Sequence, residues 1–459
     1  MPKWTLNISS DEINSIKQRS EYTISIIGCK RNGILHACLF AEAGFKVMCV
    51  DADRAIVDNI TSGRAYFLKR EAKRKFKKHV KDGLLKSTSD IKSAVAKSDV
   101  ILITTKATID KKKRVSYLSV ERVCKQVGSS LQRGSLVIIL SLIGLATTQD
   151  LIKEILENTS GFKVGVDLGL AYNPISISDR QTLEKLEECR RTVAATDGAS
   201  IKAASTILGT IAKNGIVKTS DAKSAEAAKL FESMQHHASI AMANEFAIFC
   251  DKAGIDYLKA RELAETNGHN ALALPTLTCS NAHEEAHLLL EEAENLNVKL
   301  RVPAAAGETS EDLLKHVIGL IREALRDCRK TLRRANISLF GISQTSNTRT
   351  APRISARRLA KTLETKGAKI SFYDPYLSKK EIANLHYTFS SNLTDAMKRV
   401  DCIVILTGHK RFKRLNLKKL KILARMPAAV VDLASVIDSK KVEKRGFTYR
   451  GLGRGVQTK

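Results

Sequence analysis

Few residues in this sequence are spaced so as to suggest chemistry, and the clearest group lies near its start. Tyr22 to Ile27 is a short β-rich apolar run, followed by Gly28-Cys29-Lys30-Arg31-Asn32-Gly33, an apolar-periodic stretch to Ala43, and a second apolar run from Phe45 to Val50 that closes on Asp51. A glycine turn between strand and helix can present backbone N–H groups to a pyrophosphate. An acidic residue roughly twenty positions later can take a ribose hydroxyl. Gly28, Gly33 and Asp51 are therefore candidates for holding a dinucleotide. The nine cysteines are scattered, odd in number and without a CxxC pair, which argues against both a zinc site and a disulfide framework.

The elements that must position this turn repeat its plan. Further strand-like runs at Asp99 to Thr104 and Ser135 to Leu140 alternate with helical stretches and extend a parallel sheet. From Ser220 to Thr266 small and apolar residues recur at three- and four-residue spacing, which reads as one long central helix. Helical pattern continues to about Arg334, interrupted near Pro275 and Pro303. Strand and helix then alternate again: Ile337 to Phe340, Gly341, a helix around Ser355 to Lys366, and strands at Lys369 to Tyr373, Cys402 to Leu406 and Ala429 to Asp432. The expected fold is α/β: two Rossmann-like doubly wound domains, over residues 1–205 and 335–459, joined by a long central helix and a helical middle domain over residues 206–334.

Composition agrees with several cores, since 459 residues with 43% hydrophobic side chains exceed what one compact unit holds. The formal charge of +28 peaks in runs such as Lys69 to Lys81 and Lys111 to Arg114. Such charge concentrates anions. Phosphate-bearing small molecules, nucleic acid and anionic lipid are all compatible, and a merely solvated basic surface is the plain alternative. Aromatics at 5% leave few platforms for stacking single-stranded bases, so nucleic acid is disfavoured without being excluded. The polar N-terminus has no apolar signal core and no stretch approaches a membrane span, which points to the cytoplasm.

The order of several segments resembles the UDP-glucose/GDP-mannose dehydrogenase family along nearly the whole chain. They are AEAGFKVMCVDAD, AEAAKLFES with NEFAIFCDKAGID behind it, LLLEEAENLNVKL, GAKISFYDPYL, VDCIVILTGHKRFKRL and GFTYRGLGRG. The resemblance implies NAD as cofactor, a UDP- or GDP-sugar as substrate, and oxidation of its C6 hydroxymethyl to a uronic acid through a cysteine-linked thioester. It places Gly28, Gly33 and Asp51 at the cofactor, Lys229 as the oxyanion-stabilising lysine, and Cys279 near the nucleophile. Register anchored on LLLEEAE without a gap puts Asn281 at the nucleophile position, so Cys279 serves only if the loop shifts. His283 nearby could lower its pKa. Pairing through the central helix is also implied, with Ala227, Ala228, Ala238, Ala241 and Ala243 permitting close approach in a homodimer.

Several positions depart from the family pattern. Lys30 replaces the middle glycine of the turn, and Thr105-Lys106-Ala107-Thr108 lacks two prolines, which suggests that NAD binding is weakened or lost. Leu142 stands for a catalytic threonine, Ile175 for a glutamate and Ser233 for an asparagine. In the last domain Thr345 to Pro352 lacks two carboxylates and an arginine, and Asp432-Leu433-Ala434-Ser435 lacks another arginine, for which Arg349 and Arg353 are the available replacements. Two functions follow: a nucleotide-sugar dehydrogenase with impaired or altered catalysis, or a non-catalytic relative that binds nucleotide-sugar or protein.

Overall fold

The computed structural model describes residues 3–65, 67–68, 70–110, 114–175, 183–266, 272–277, 281–382 and 386–455, apart from the side chains of residues 70, 281–285 and 380. The chain forms two compact units, Met1–Ser233 with His287–Val298, and Met234–Ala286 with Lys299–Lys459.

The first unit carries an eight-stranded sheet. Its strands are β1 (Thr23–Ile27), β2 (Lys46–Val50), β3 (Leu85–Thr88), β4 (Val100–Ile103), β7 (Leu136–Ile139), β8 (Gly169–Tyr172), β9 (Arg191–Ala194) and β10 (Ile216–Thr219). They lie in the order β10-β9-β8-β7-β4-β1-β2-β3. All neighbours are parallel except β8 and β9. A separate antiparallel pair, β5 (Thr108–Ile109) and β6 (Val115–Ser116), follows β4. The central strands are apolar at every position because both faces are covered. Val100 and Leu102 enter one core, while Ile101 and Ile103 enter the other.

The second unit repeats this logic in a six-stranded parallel sheet of order β13-β12-β11-β14-β15-β16. These are β11 (Asn336–Phe340), β12 (Lys369–Tyr373), β13 (Thr388–Phe389), β14 (Cys402–Ile405), β15 (Ala429–Asp432) and β16 (Thr448–Gly451). Leu339 and Val404 face one core, and Phe340 and Ile403 face the other.

One helix boundary differs from the sequence pattern. The central helix runs Ala222–Ala253, about 48 Å at 1.5 Å per residue, and does not continue to Thr266. Gly254 adopts φ +71°, a left-handed conformation that ends the helix, and a new helix, Tyr257–Glu265, starts where the Asp256 carboxylate accepts from the Leu258 N–H at 3.0 Å. The interruption expected near Pro303 is present: one helix ends at Asn295 and the next, Arg301–Asp327, takes Pro303 as its third residue, where no intrahelical hydrogen bond is lost. On the central helix Ala241 and Ala243 are turned into the protein's own core, at 7% and 2% exposure, so two of the five small residues expected at a pairing face are not on it.

Candidate functional site

The N-terminal turn is shaped by two glycines and held by a carboxylate. Gly28 has φ +94°, and an added Cβ would meet the Thr104 hydroxyl at 2.6 Å. Thr104 Oγ1 in turn donates to the Ile27 carbonyl at 3.0 Å, which ties the turn to the end of β4. At Gly33 a Cβ would meet the Gly28 carbonyl oxygen at 2.3 Å, so only glycine lets helix Arg31–Glu42 start this close to the strand. Asp51, at the end of β2, accepts from the Cys29 N–H at 2.8 Å and the Asp53 N–H at 3.0 Å. The structure thus gathers Gly28, Gly33 and Asp51 into one turn.

A carboxylate offers about four lone-pair positions, so Asp51 keeps capacity for ribose hydroxyls after bracing the turn. Lys30 caps the helix with φ −74° in an extended conformation, and its side chain is exposed. The backbone there does not require glycine. The turn residues fit a dinucleotide: the left-handed Gly28, the close approach at Gly33, and a helix start whose first N–H groups lack intrahelical acceptors.

Lys229 lies on the central helix with 7% exposure, its ammonium 2.5 Å from Glu232 Oε2 one turn on. One turn before it, Glu226 is fully buried and accepts from the Thr148 N–H at 2.9 Å and the Thr148 hydroxyl at 2.6 Å. Burial raises the Glu226 pKa, against the lowering effect of those two donors. Ser233, at 9% exposure, occupies the next turn. The Tyr117 hydroxyl accepts from the Gly144 N–H at 3.1 Å and so braces the segment that carries Leu142. Ile175 packs against the apolar core of the first unit, a place that suits its side chain and would penalise a carboxylate.

Cys279 lies outside the described residues, as do the side chains of Asn281 and His283. Arg349 and Arg353, the candidate phosphate-facing arginines, are engaged within the second unit: Arg349 Nε lies 2.7 Å from Glu381 Oε1, and Arg353 donates to the Leu406 carbonyl at 3.2 Å. The Asp432 carboxylate, fully buried, accepts from the N–H groups of Ala434, Val436 and Ile437.

Three polar clusters were not read from the sequence. Glu226 with Thr148 is the first, and its signal was an acidic residue three positions before Lys229. In the second unit, the Asp374 carboxylate accepts from the N–H groups of Ser343 and Tyr376 at 2.8 and 2.9 Å, beside the buried His409 ring, whose Nε2 lies 3.3 Å away. His409 Nδ1 accepts from the Asn347 N–H at 2.9 Å, which fixes the ring proton on Nε2. Asp251 is the third: at 2% exposure it accepts from the N–H groups of Gly453 and Gly455 at 3.0 and 3.1 Å and lies 2.8 Å from His316 Nε2.

Burial would push the Asp374 carboxyl up, but the His409 ring and the two backbone N–H groups outweigh it and hold the carboxyl below its usual range. A folded pKa below the unfolded value of about 3.9 gives stability that is present above that pH and lost as pH falls through the folded value. Asp374→Asn is therefore expected to flatten the acid-side decline of the second unit, measured as the urea midpoint between neutral pH and about pH 3. An unchanged slope would show that Asp374 titrates alike in both states.

Three family models match in order: the NAD binding domain of the UDP-glucose/GDP-mannose dehydrogenase family over residues 22–211, its central domain over residues 223–311, and its UDP binding domain over residues 339–439. The chain belongs to the UDP-glucose/GDP-mannose dehydrogenase family. The family's NAD binding domain holds the turn of Gly28, Gly33 and Asp51, and its UDP binding domain holds Asp374 and His409. The chain is similar to the UDP-N-acetyl-D-mannosamine dehydrogenase of Pyrococcus horikoshii, at 27% identity over 94% of this chain and 99% of that protein. It is 24% identical to UDP-glucose 6-dehydrogenase TuaD of Bacillus subtilis, over 94% of this chain and 93% of the relative. The solved structure of the P. horikoshii enzyme matches with a TM-score of 0.83 at 25% identity, over 94% of this chain and 99% of the other. A UDP-glucose dehydrogenase from Pyrobaculum islandicum shares the fold at a TM-score of 0.81 and 20% identity, covering 94% and 98% of the two chains.

Proposed function

We propose that the chain is an NAD-dependent nucleotide-sugar dehydrogenase that oxidises the C6 hydroxymethyl of a UDP-hexose, with altered catalysis. The observation that supports this reading is the turn itself, with the left-handed Gly28, the close approach at Gly33 and the Asp51 carboxylate on the Cys29 N–H, in a chain similar to UDP-N-acetyl-D-mannosamine and UDP-glucose dehydrogenases. NAD, when bound, supplies the acceptor for the hydride lost from C6. Gly28 and Gly33 would hold its pyrophosphate and Asp51 its ribose. The Lys229 ammonium, sheltered on the central helix, would stabilise oxyanion charge as the hydroxyl proton leaves.

The side chains of Leu142 and Ile175 are hydrocarbon, with no lone pair or polar hydrogen, so neither can orient water or act as a base. This favours slow turnover, and in its extreme form the second reading, a relative that binds nucleotide-sugar without oxidising it. Incubation with NAD and a panel of UDP-hexoses and UDP-N-acetylhexosamines separates the two. Absorbance of NADH is expected to rise with at least one sugar, at a rate lower in Cys279→Ser. No NADH with any sugar, while calorimetry shows UDP-sugar binding, would establish the second reading.

The chain is also proposed to pair through the central helix. Phe231, Met242, Phe246 and Phe249 are exposed along it, at 59%, 50%, 42% and 63%, and large apolar exposure of this kind marks an interface. Sedimentation is expected to show a dimer; a monomer at every concentration removes the proposal.

A further inference from the structure

One acid-free stretch of the second unit gathers positive charge on exposed side chains. Residues 402–431 contain Lys410, Arg411, Lys413, Arg414, Lys418, Lys419, Lys421 and Arg425, and no Asp or Glu. All eight side chains are exposed. Arg425 lies 3.9 Å from the buried Asp401, and Lys419 donates to the Thr394 hydroxyl at 2.9 Å. For the other six, no carboxylate partner is found among the described residues within ion-pair distance.

The short helix Leu417–Leu423 is anchored to the unit by Leu420, which is fully buried, and by the Asn416 side chain, which accepts from the Lys419 N–H at 3.0 Å. Anchored so, it turns Lys418, Lys421 and Ile422 outward on one face at i, i+3, i+4 spacing. Ile422 is 83% exposed, the barest large apolar side chain among the described residues.

The contrast with helix Arg70–Lys81 of the first unit is informative. That helix is as basic, yet its described exposed side chains are all charged, so solvent alone accounts for it. Basic residues around a bare isoleucine fit something that offers negative charge at its surface and an apolar layer beneath it. Duplex nucleic acid offers only the first. The stretch has no exposed aromatic side chain on which a base could stack.

We infer that the surface centred on Lys418, Lys421 and Ile422 docks the protein peripherally on an anionic lipid bilayer, the lysines among headgroups and Ile422 in the interfacial layer. No helix among the described residues is long and apolar enough to cross a membrane, so the contact would be reversible. Each basic side chain brought to such a surface contributes roughly fivefold in partition, and burying the isoleucine adds about tenfold.

Co-sedimentation of the full chain with vesicles tests this, using phosphatidylcholine alone and phosphatidylcholine mixed with phosphatidylglycerol. Binding is expected to the mixed vesicles only and to weaken with salt. The triple variant Lys418→Glu, Lys419→Glu, Lys421→Glu should lower partition about a hundredfold. Ile422→Ser should lower it about tenfold without changing binding to a short DNA duplex. A control triple, Lys73→Glu, Lys77→Glu, Lys78→Glu, should leave most vesicle binding in place. All these side chains are exposed, and unchanged thermal melts would confirm that the variants fold. Equal losses in the two triples, a silent Ile422→Ser, or tighter binding to the duplex than to anionic vesicles would each overturn the inference.

Discussion

Lys229→Ala is expected to lower NADH production by about two to three orders of magnitude, the loss typical of removing one oxyanion donor, while NAD affinity stays as it was. The reasoning is geometric. Lys229 lies on a long helix at 7% exposure, and its partner Glu232 is largely exposed, with 66% of its side chain accessible. A lysine paired only for stability would lie on the open side with its carboxylate. Here the lysine side chain is sheltered while that of its partner is open to solvent, so the carboxylate can move away without uncovering the lysine. Glu232→Gln is the companion variant: it removes the ion pair and keeps the lysine, and it should cost no more than about tenfold. Equal losses in both would show that the pair, and not the lysine's charge, matters.

Asp251→Ala is expected to destabilise the second unit by about 3–5 kcal/mol, the usual result of removing one partner from a buried charged cluster. The carboxylate is 2% exposed and satisfies the Gly453 and Gly455 N–H groups as well as facing His316. Its loss leaves two backbone donors and an imidazole without an acceptor. Asp251→Asn, which keeps one accepting oxygen, should cost less. The single tryptophan, Trp4, lies in the first unit, so its fluorescence reports that unit alone. Hydrogen exchange over Asn336–Phe340 reports the second. A shift in the second without the first is the expected pattern, and a stability change below about 1 kcal/mol would mean that water replaces the carboxylate, as happens at exposed pairs.

The scaffold was more legible in the sequence than the site. Strands such as Val100–Ile103 and Cys402–Ile405 are continuous apolar runs because both faces of each sheet are covered, and such runs stand out in any reading. The glycine turn was legible for the same local reason: Gly28 and Gly33 answer to contacts within the turn itself. The helix end at Gly254 was missed because the apolar periodicity resumes beyond it, and a left-handed glycine leaves no trace in that pattern. The break near Pro303 was legible because proline suits the first turn of a helix and not its interior, and the new helix starts at Arg301. The polar clusters were hidden for a different reason. Glu226 meets Thr148 and Asp374 meets His409 across 78 and 35 residues, so no spacing rule connects them. Arg349 and Arg353 show the converse: the right residue type near the right place, already committed to Glu381 and to a carbonyl.

The separation of Asp251 from its donors has a consequence for biosynthesis. The two glycine N–H groups that satisfy this carboxylate follow it by 202 and 204 residues. At ordinary elongation rates of about 5–20 residues per second, that interval is about 10 to 40 seconds. Throughout it Asp251 must stay hydrated, so the helix carrying it cannot settle into its final surroundings while the ribosome is still at work. The strands of the first sheet are all complete by Thr219, before Asp251 has been made. The nascent chain can therefore bury its first sheet during synthesis while the second unit waits, and a transcript cut short before Gly453 yields a polypeptide with one finished core and one that a quality-control protease can enter.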